Sequence, residues 1–123
     1  MQGNVNLSPE AQQVLAQLQT LQQQLQIILY QKDGLSLQKT ETEKAIEELE
    51  KNESNEVFKI AGPIMIKIER EKLLSELKAE LEKINLQLKA LEKQEEKFRK
   101  KLEEKQEKLR AILEGVHPSS KAE

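Results

Sequence analysis

The sequence has no cysteine and no tryptophan, one tyrosine, two phenylalanines and one histidine, His117. Without cysteine there is no disulfide and no thiolate, and with one histidine there is no imidazole cluster, so thiol catalysis and the usual zinc sites are excluded. Aromatic residues make up 2% of the chain, too few to build an ordinary globular core around. The four glycines, at positions 3, 34, 62 and 115, form no phosphate-cradling loop. No apolar run approaches the roughly 20 residues that cross a bilayer, and the opening MQGNVNLSPE has neither a basic nor an apolar targeting segment. An excess of either charge is also missing. Lys and Arg number 20 against 22 Asp and Glu, so electrostatics offers no general attraction to nucleic acid or anionic lipid. These absences predict a soluble, cytoplasmic, non-enzymatic chain with no catalytic residues, no cofactor and no metal.

What is present is Glu, Lys, Gln, Leu and Ala, with 34% charged residues and a mean hydropathy of -0.71, the composition of long solvated helices and coiled coils. Ser8-Pro9-Glu10 reads as a helix start, because serine caps free amides, proline suits the first helical position and glutamate meets the positive end of the dipole. From there Ala11, Val14, Leu18, Leu21, Leu25, Ile28, Lys32, Leu35, Lys39, Thr42, Ile46 and Leu49 recur in alternating steps of three and four, which is a heptad seam. Asp33-Gly34 is a turn-type dipeptide inside that run. A turn would reset the phase, however, and Leu35 follows Ile28 by one full repeat, so one long helix is expected. A second seam, Leu74, Leu77, Leu81, Ile84, Leu88, Leu91, Glu95, Phe98, Leu102, Lys105, Leu109 and Ile112, continues until Gly115 and Pro118 stop it. Two helices of similar length predict an antiparallel pair in which Leu49 opposes Leu74, Leu35 opposes Leu88, Leu25 opposes Phe98 and Val14 opposes Leu109. Both termini then lie at the end far from the join.

At the join, KNESNE breaks the helical pattern and VFKIAGPIMIKI, residues 57–68, follows. Val57, Phe58 and Ile60 precede Ala61-Gly62-Pro63, and Ile64, Met65, Ile66 and Ile68 come after it, so two β-prone runs flank a turn as in a hairpin. The apolar side chains alternate onto both faces, and only Lys59 and Lys67 interrupt them. Burying seven such groups is worth roughly 10–20 kcal/mol, and a two-helix hairpin has too little surface to cover them. Open strand edges add a second incentive to pair with other chains. These seven residues are therefore expected to carry oligomerisation, closing several hairpins into a β-barrel. The fold expected is mainly α: a long antiparallel two-helix coiled coil joined by a short β-hairpin that assembles into an oligomeric β-barrel. Its parts are a flexible N-terminus at 1–7, helices at 8–52 and 69–114, the hairpin at 56–68 and a flexible tail at 115–123, with 8–114 as a single domain.

The join EVFKIAGPIMIKIEREKLLSEL and the Gln-rich start PEAQQVLAQLQTLQQQLQ resemble the beta-type subunits of the prefoldin family, the archaeal ones most. That resemblance implies a heterohexamer of two alpha and four beta subunits, its hairpins forming a double β-barrel from which six coiled coils hang. It also implies an ATP-independent chaperone that captures unfolded polypeptides at the coiled-coil tips and delivers them to a group II chaperonin. Alpha-type members carry two hairpins, whereas only one fits between Asn55 and Glu69 here. Family members often place Thr before the second helix; this chain has Ile68-Glu69-Arg70, with no Ser, Thr, Asp or Asn to act as a cap.

From Leu7 to Gln31 the first helix carries one charged residue, Glu10, whereas Lys and Glu alternate from Lys32 to Lys51. Beside the uncharged half collect Val14, Leu15, Leu18, Leu109, Ile112, Leu113 and Val116, with Leu15 and Leu113 next to the seam and expected to be exposed. Apolar ends accompanied by glutamine suit weak binding of many unfolded chains; the same residues also serve simply to close a seam. His117 falls in the polar tail, and the basic run Lys97-Phe98-Arg99-Lys100-Lys101 is flanked by Glu95, Glu96, Glu103 and Glu104, which reads as a solvated face and not a nucleic-acid site. Two functions stay open from the residues alone. One is a substrate-holding chaperone subunit; the other is a structural coiled-coil scaffold or adaptor for one specific partner, which would ordinarily need patterned charges beside the seam.

Overall fold

A computed structural model describes residues 7–115 and has the element order α1 (Pro9–Lys51), β1 (Glu56–Ala61), β2 (Ile64–Glu69) and α2 (Arg70–Leu113). Val116, His117 and the rest of the expected tail lie outside the described residues. The start of α1 is set by Ser8, whose Oγ accepts the Ala11 amide at 3.1 Å while its carbonyl accepts the Gln12 amide at 2.9 Å. The helix passes unbroken through Asp33-Gly34 for 43 residues, since one interior glycine costs only about 1 kcal/mol relative to alanine. At its far end the Asn52 Oδ1 accepts the Ser54 amide at 2.7 Å, an Asx turn that feeds the chain into β1. The 44-residue α2 ends at Leu113 and is closed by Gly115, whose φ is 77° and whose amide donates to the Ile112 carbonyl at 3.1 Å.

The strands pair antiparallel from Glu56 opposite Glu69 to Ala61 opposite Ile64, leaving Gly62-Pro63 as a two-residue turn. Gly62 has a φ of 59° at the first turn position, the place a type II′ hairpin gives to glycine. Pro63, which has no N–H, stays out of the ladder.

The chain divides into two compact units, one formed by Gln31–Leu91 and the other by the chain segments on either side of it. In the second, terminal unit, Val14, Leu18, Leu25 and Ile28 are buried, Val14 to 2% exposure. A lone helix cannot hide a valine so far, so the α2 segment of the same unit covers it. Leu21 of α1 and Lys105 of α2 line one groove there, as the antiparallel register requires. In the Gln31–Leu91 unit the buried seam residues are Ile46, Leu74 and Ile84. Leu35 and Leu91 border a common groove, and Glu50 lies 3.5 Å from Lys78 across the two helices. Every seam position read from the heptads is buried or half-buried, including the polar Lys39, Thr42 and Lys105.

Candidate assembly and binding surfaces

The pairing register sorts the hairpin side chains onto two faces. Val57, Lys59, Ala61, Ile64, Ile66 and Ile68 share one; Phe58, Ile60, Met65 and Lys67 share the other. The base of the first face folds over the start of α2, where Val57 and Leu73 are buried, Ile68 is half-buried, and the Lys59 ammonium reaches the Glu76 carboxylate at 3.1 Å. The rest of the hairpin is bare. Phe58, Ile60, Ile64, Met65 and Ile66 are between 45% and 74% exposed, so apolar surface faces outward on both sides of a two-stranded sheet. Of the seven residues expected to carry assembly, Val57 and Ile68 are thus covered within the chain's own fold, and five are available to another surface.

Arg70 holds the hairpin base to both helices, a role the sequence reading did not give it. Its amide donates to the Asn55 carbonyl at 2.8 Å, and its Nη1 donates at 3.0 Å to the carbonyl of Leu49, one of the last in α1. Nη2 bonds Glu71 at 2.7 Å. The missing N-cap of α2 is compensated in this way: the first helical amide finds a partner in the preceding loop, and a cation meets the negative end of α1. The Arg70 Nε is buried and has no hydrogen-bond partner.

In the terminal unit the residues expected to bind clients separate by burial. Val14 and Leu18 are buried in the seam, Leu15, Leu109 and Ile112 are half-buried, and Leu113 is 57% exposed. Ile27, Tyr30, Leu37 and Leu86 are also exposed and lie off the seams; the heptad pattern would have found them only by listing the large apolar residues it left over. No group of side chains among the described residues has the makings of a metal site, and no helix of those residues is long and apolar enough to cross a membrane.

Two long helices with a coiled-coil seam, joined by one hairpin with bare apolar faces, define a coiled-coil hairpin class of chain. The chain matches the Prefoldin subunit family over residues 12–115, and it belongs to that family. Within it, the similarity is to beta subunits. The prefoldin subunit beta of Thermococcus onnurineus is 42% identical over 74 residues, 59% of this chain and 64% of that protein. The one from Methanothrix thermoacetophila is 44% identical over 73 residues, 58% of this chain and 61% of that protein. The aligned stretches therefore span less than two thirds of these relatives. The crystal structure of the prefoldin beta subunit from Thermococcus strain KS-1 is similar with a TM-score of 0.82 at 37% identity, covering 88% of this chain and 96% of that one.

Proposed function

We propose that this chain is the beta-type subunit of a hexameric, ATP-independent chaperone. Four copies join two alpha-type subunits through their hairpins in a β-barrel, hold unfolded polypeptides at the apolar ends of the coiled coils, and pass them to a group II chaperonin in the cytoplasm. The observation that carries this reading is the hairpin, whose five exposed apolar side chains demand a partner surface. Capture needs no energy source: apolar groups such as Leu113 exchange contact with water for contact with an unfolded chain, and several weak ends acting together gain by avidity. Release then follows from competition or hand-off.

Native mass spectrometry of this chain, alone and mixed with an alpha-type prefoldin subunit, tests assembly, and suppression of aggregation of several unrelated denatured proteins tests capture. A mixed hexamer with four copies of this chain that protects those proteins is the expected result. A monomer or simple dimer in both samples, with no protection, would favour a scaffold for one specific partner.

A further inference from the structure

Charge on the α2 segment of the terminal unit is sorted. Lys93, Lys97, Lys101, Lys105 and Lys108 follow one another in steps of four, four, four and three, which keeps them on one flank of the helix. None of the five forms an ion pair among the described residues. On this segment Glu95 meets Arg99 at 2.9 Å, and Glu107 and Glu114 hold Arg110, whose ionisation they favour beyond the ordinary arginine range. The α1 segment offers a single acid, Glu10, and no other charge before Lys32.

Beside two of these lysines, Lys101 and Lys105, runs an open groove of about 580 Å³. Its α1 wall includes Ala16, Gln17, Thr20 and Leu21, and its α2 wall Lys101 and Lys105, with Glu104 the one acid present. The Lys101 ammonium stands 5.9 Å from the centre of the Phe98 ring, and Lys105 is half-buried, so their stems add apolar surface while their charged heads stay in water. One wall thus supplies small apolar and amide groups, and the other supplies two lysines that form no ion pair, with one glutamate between them.

We propose that this groove binds acidic amphipathic polypeptide segments, in which apolar side chains settle against Ala16, Thr20 and Leu21 and neighbouring carboxylates meet the lysine flank. The inference rests on the capture reading and refines it: among unfolded chains, segments with Asp or Glu beside apolar residues are held in preference to basic ones. Nucleic acid fits less well, since neither an aromatic ring nor an arginine lines the groove.

The test uses the full chain and two fluorescein-labelled peptides with leucines at helical spacing, one with Glu at every other polar position and its twin with Lys there, plus a single-stranded DNA oligonucleotide. Fluorescence anisotropy at low salt should give the acidic peptide about tenfold tighter binding, the size of effect a few exposed ion pairs supply together. The advantage should fade at about 1 M salt, where the screening length falls to about 3 Å. Lys97→Glu/Lys101→Glu should reverse the order of the twins, and Lys83→Glu/Lys89→Glu, in the other unit, should leave it unchanged. If the charge-reversed protein loses helical content, Lys97→Gln/Lys101→Gln, which should abolish the preference, is read in its place. Equal binding of the twins, a preference that survives the substitutions, or an oligonucleotide that displaces the acidic peptide overturns the proposal. Protection of denatured proteins without an acidic preference removes this inference and leaves the capture reading intact. Loss of all protection removes the capture reading, and the twin peptides then decide the groove alone.

Discussion

Replacing Arg70 probes how one side chain fastens the hairpin to the helices. Its side chain is 21% exposed, its Nη1 donates to the Leu49 carbonyl, and its Nη2 meets a Glu71 side chain that is 74% exposed. A hydrogen bond from a charged group to a part-buried carbonyl is worth about 1.5–3 kcal/mol, whereas an exposed pair such as Arg70–Glu71 contributes about 0–1. Alanine also removes methylenes worth up to about 0.8 kcal/mol each when buried. Against these losses stands the buried, unpartnered Nε, a cost of about 1–3 kcal/mol that any uncharged replacement relieves. The balance predicts that Arg70→Ala costs about 2 kcal/mol, that Arg70→Met, which keeps the aliphatic packing, costs about 1, and that Glu71→Ala costs less than about 0.5. Urea unfolding followed by circular dichroism measures all three, at one fixed protein concentration because any self-association would link stability to concentration. The reasoning fails if Glu71→Ala costs as much as Arg70→Ala, or if Arg70→Ala matches the unmodified protein.

Gly34→Ala should raise stability by about 1 kcal/mol, because position 34 is helical and an added Cβ meets nothing within 4 Å; a lower melting temperature would refute this. Gly62→Ala also has open space around its Cβ, but its φ of 59° makes the substitution cost about 1 kcal/mol, read as faster amide exchange along the β1–β2 ladder. Ile84→Ala should cost about 2–4 kcal/mol by leaving a void at one of the most buried seam positions, and a loss below 1 would mean that the helices close around it. Ile64→Lys/Ile66→Lys should lower the oligomer mass while circular dichroism keeps its helical signal; an unchanged mass would refute assembly through the hairpin.

The helices were legible in the sequence because a heptad seam states its own phase. Twelve positions from Ala11 to Leu49 kept three-four steps, and a glycine could not interrupt a helix whose buried stripe resumed in register after it. The hairpin was legible for a different reason: β-branched residues on both sides of Gly62-Pro63 left little choice of turn. Less legible was the junction. Without a Ser, Thr, Asp or Asn, the start of α2 depends on the Asn55 carbonyl and on a guanidinium that reaches Leu49, 21 residues earlier, and no local motif announces so distant a bond. Val57 and Ile68 show the same limit. Their apolar character is plain from the sequence, but that these two of the seven are covered and the other five are not depends on how the hairpin base meets the rest of the fold.

The two helices of the terminal unit are unequal in what holds each of them as a helix. Along α2, Arg99 and Arg110 brace successive turns through Glu95, Glu107 and Glu114, so that segment carries its own local support. Its partner has no charged pair between Leu7 and Gln31, and the Thr20 hydroxyl bonds back to the Ala16 carbonyl, an arrangement that slightly weakens a helix. Between Ser8 and Tyr30, then, α1 is helical chiefly because α2 is beside it. If the pair parts, α1, which lacks those braces, uncoils more readily than α2, and its freed amides and carbonyls can bond to whatever chain lies alongside. The unit is in effect a splint with an adaptable strip laid along it, and separation turns buried backbone hydrogen-bonding capacity into capacity that can be offered elsewhere.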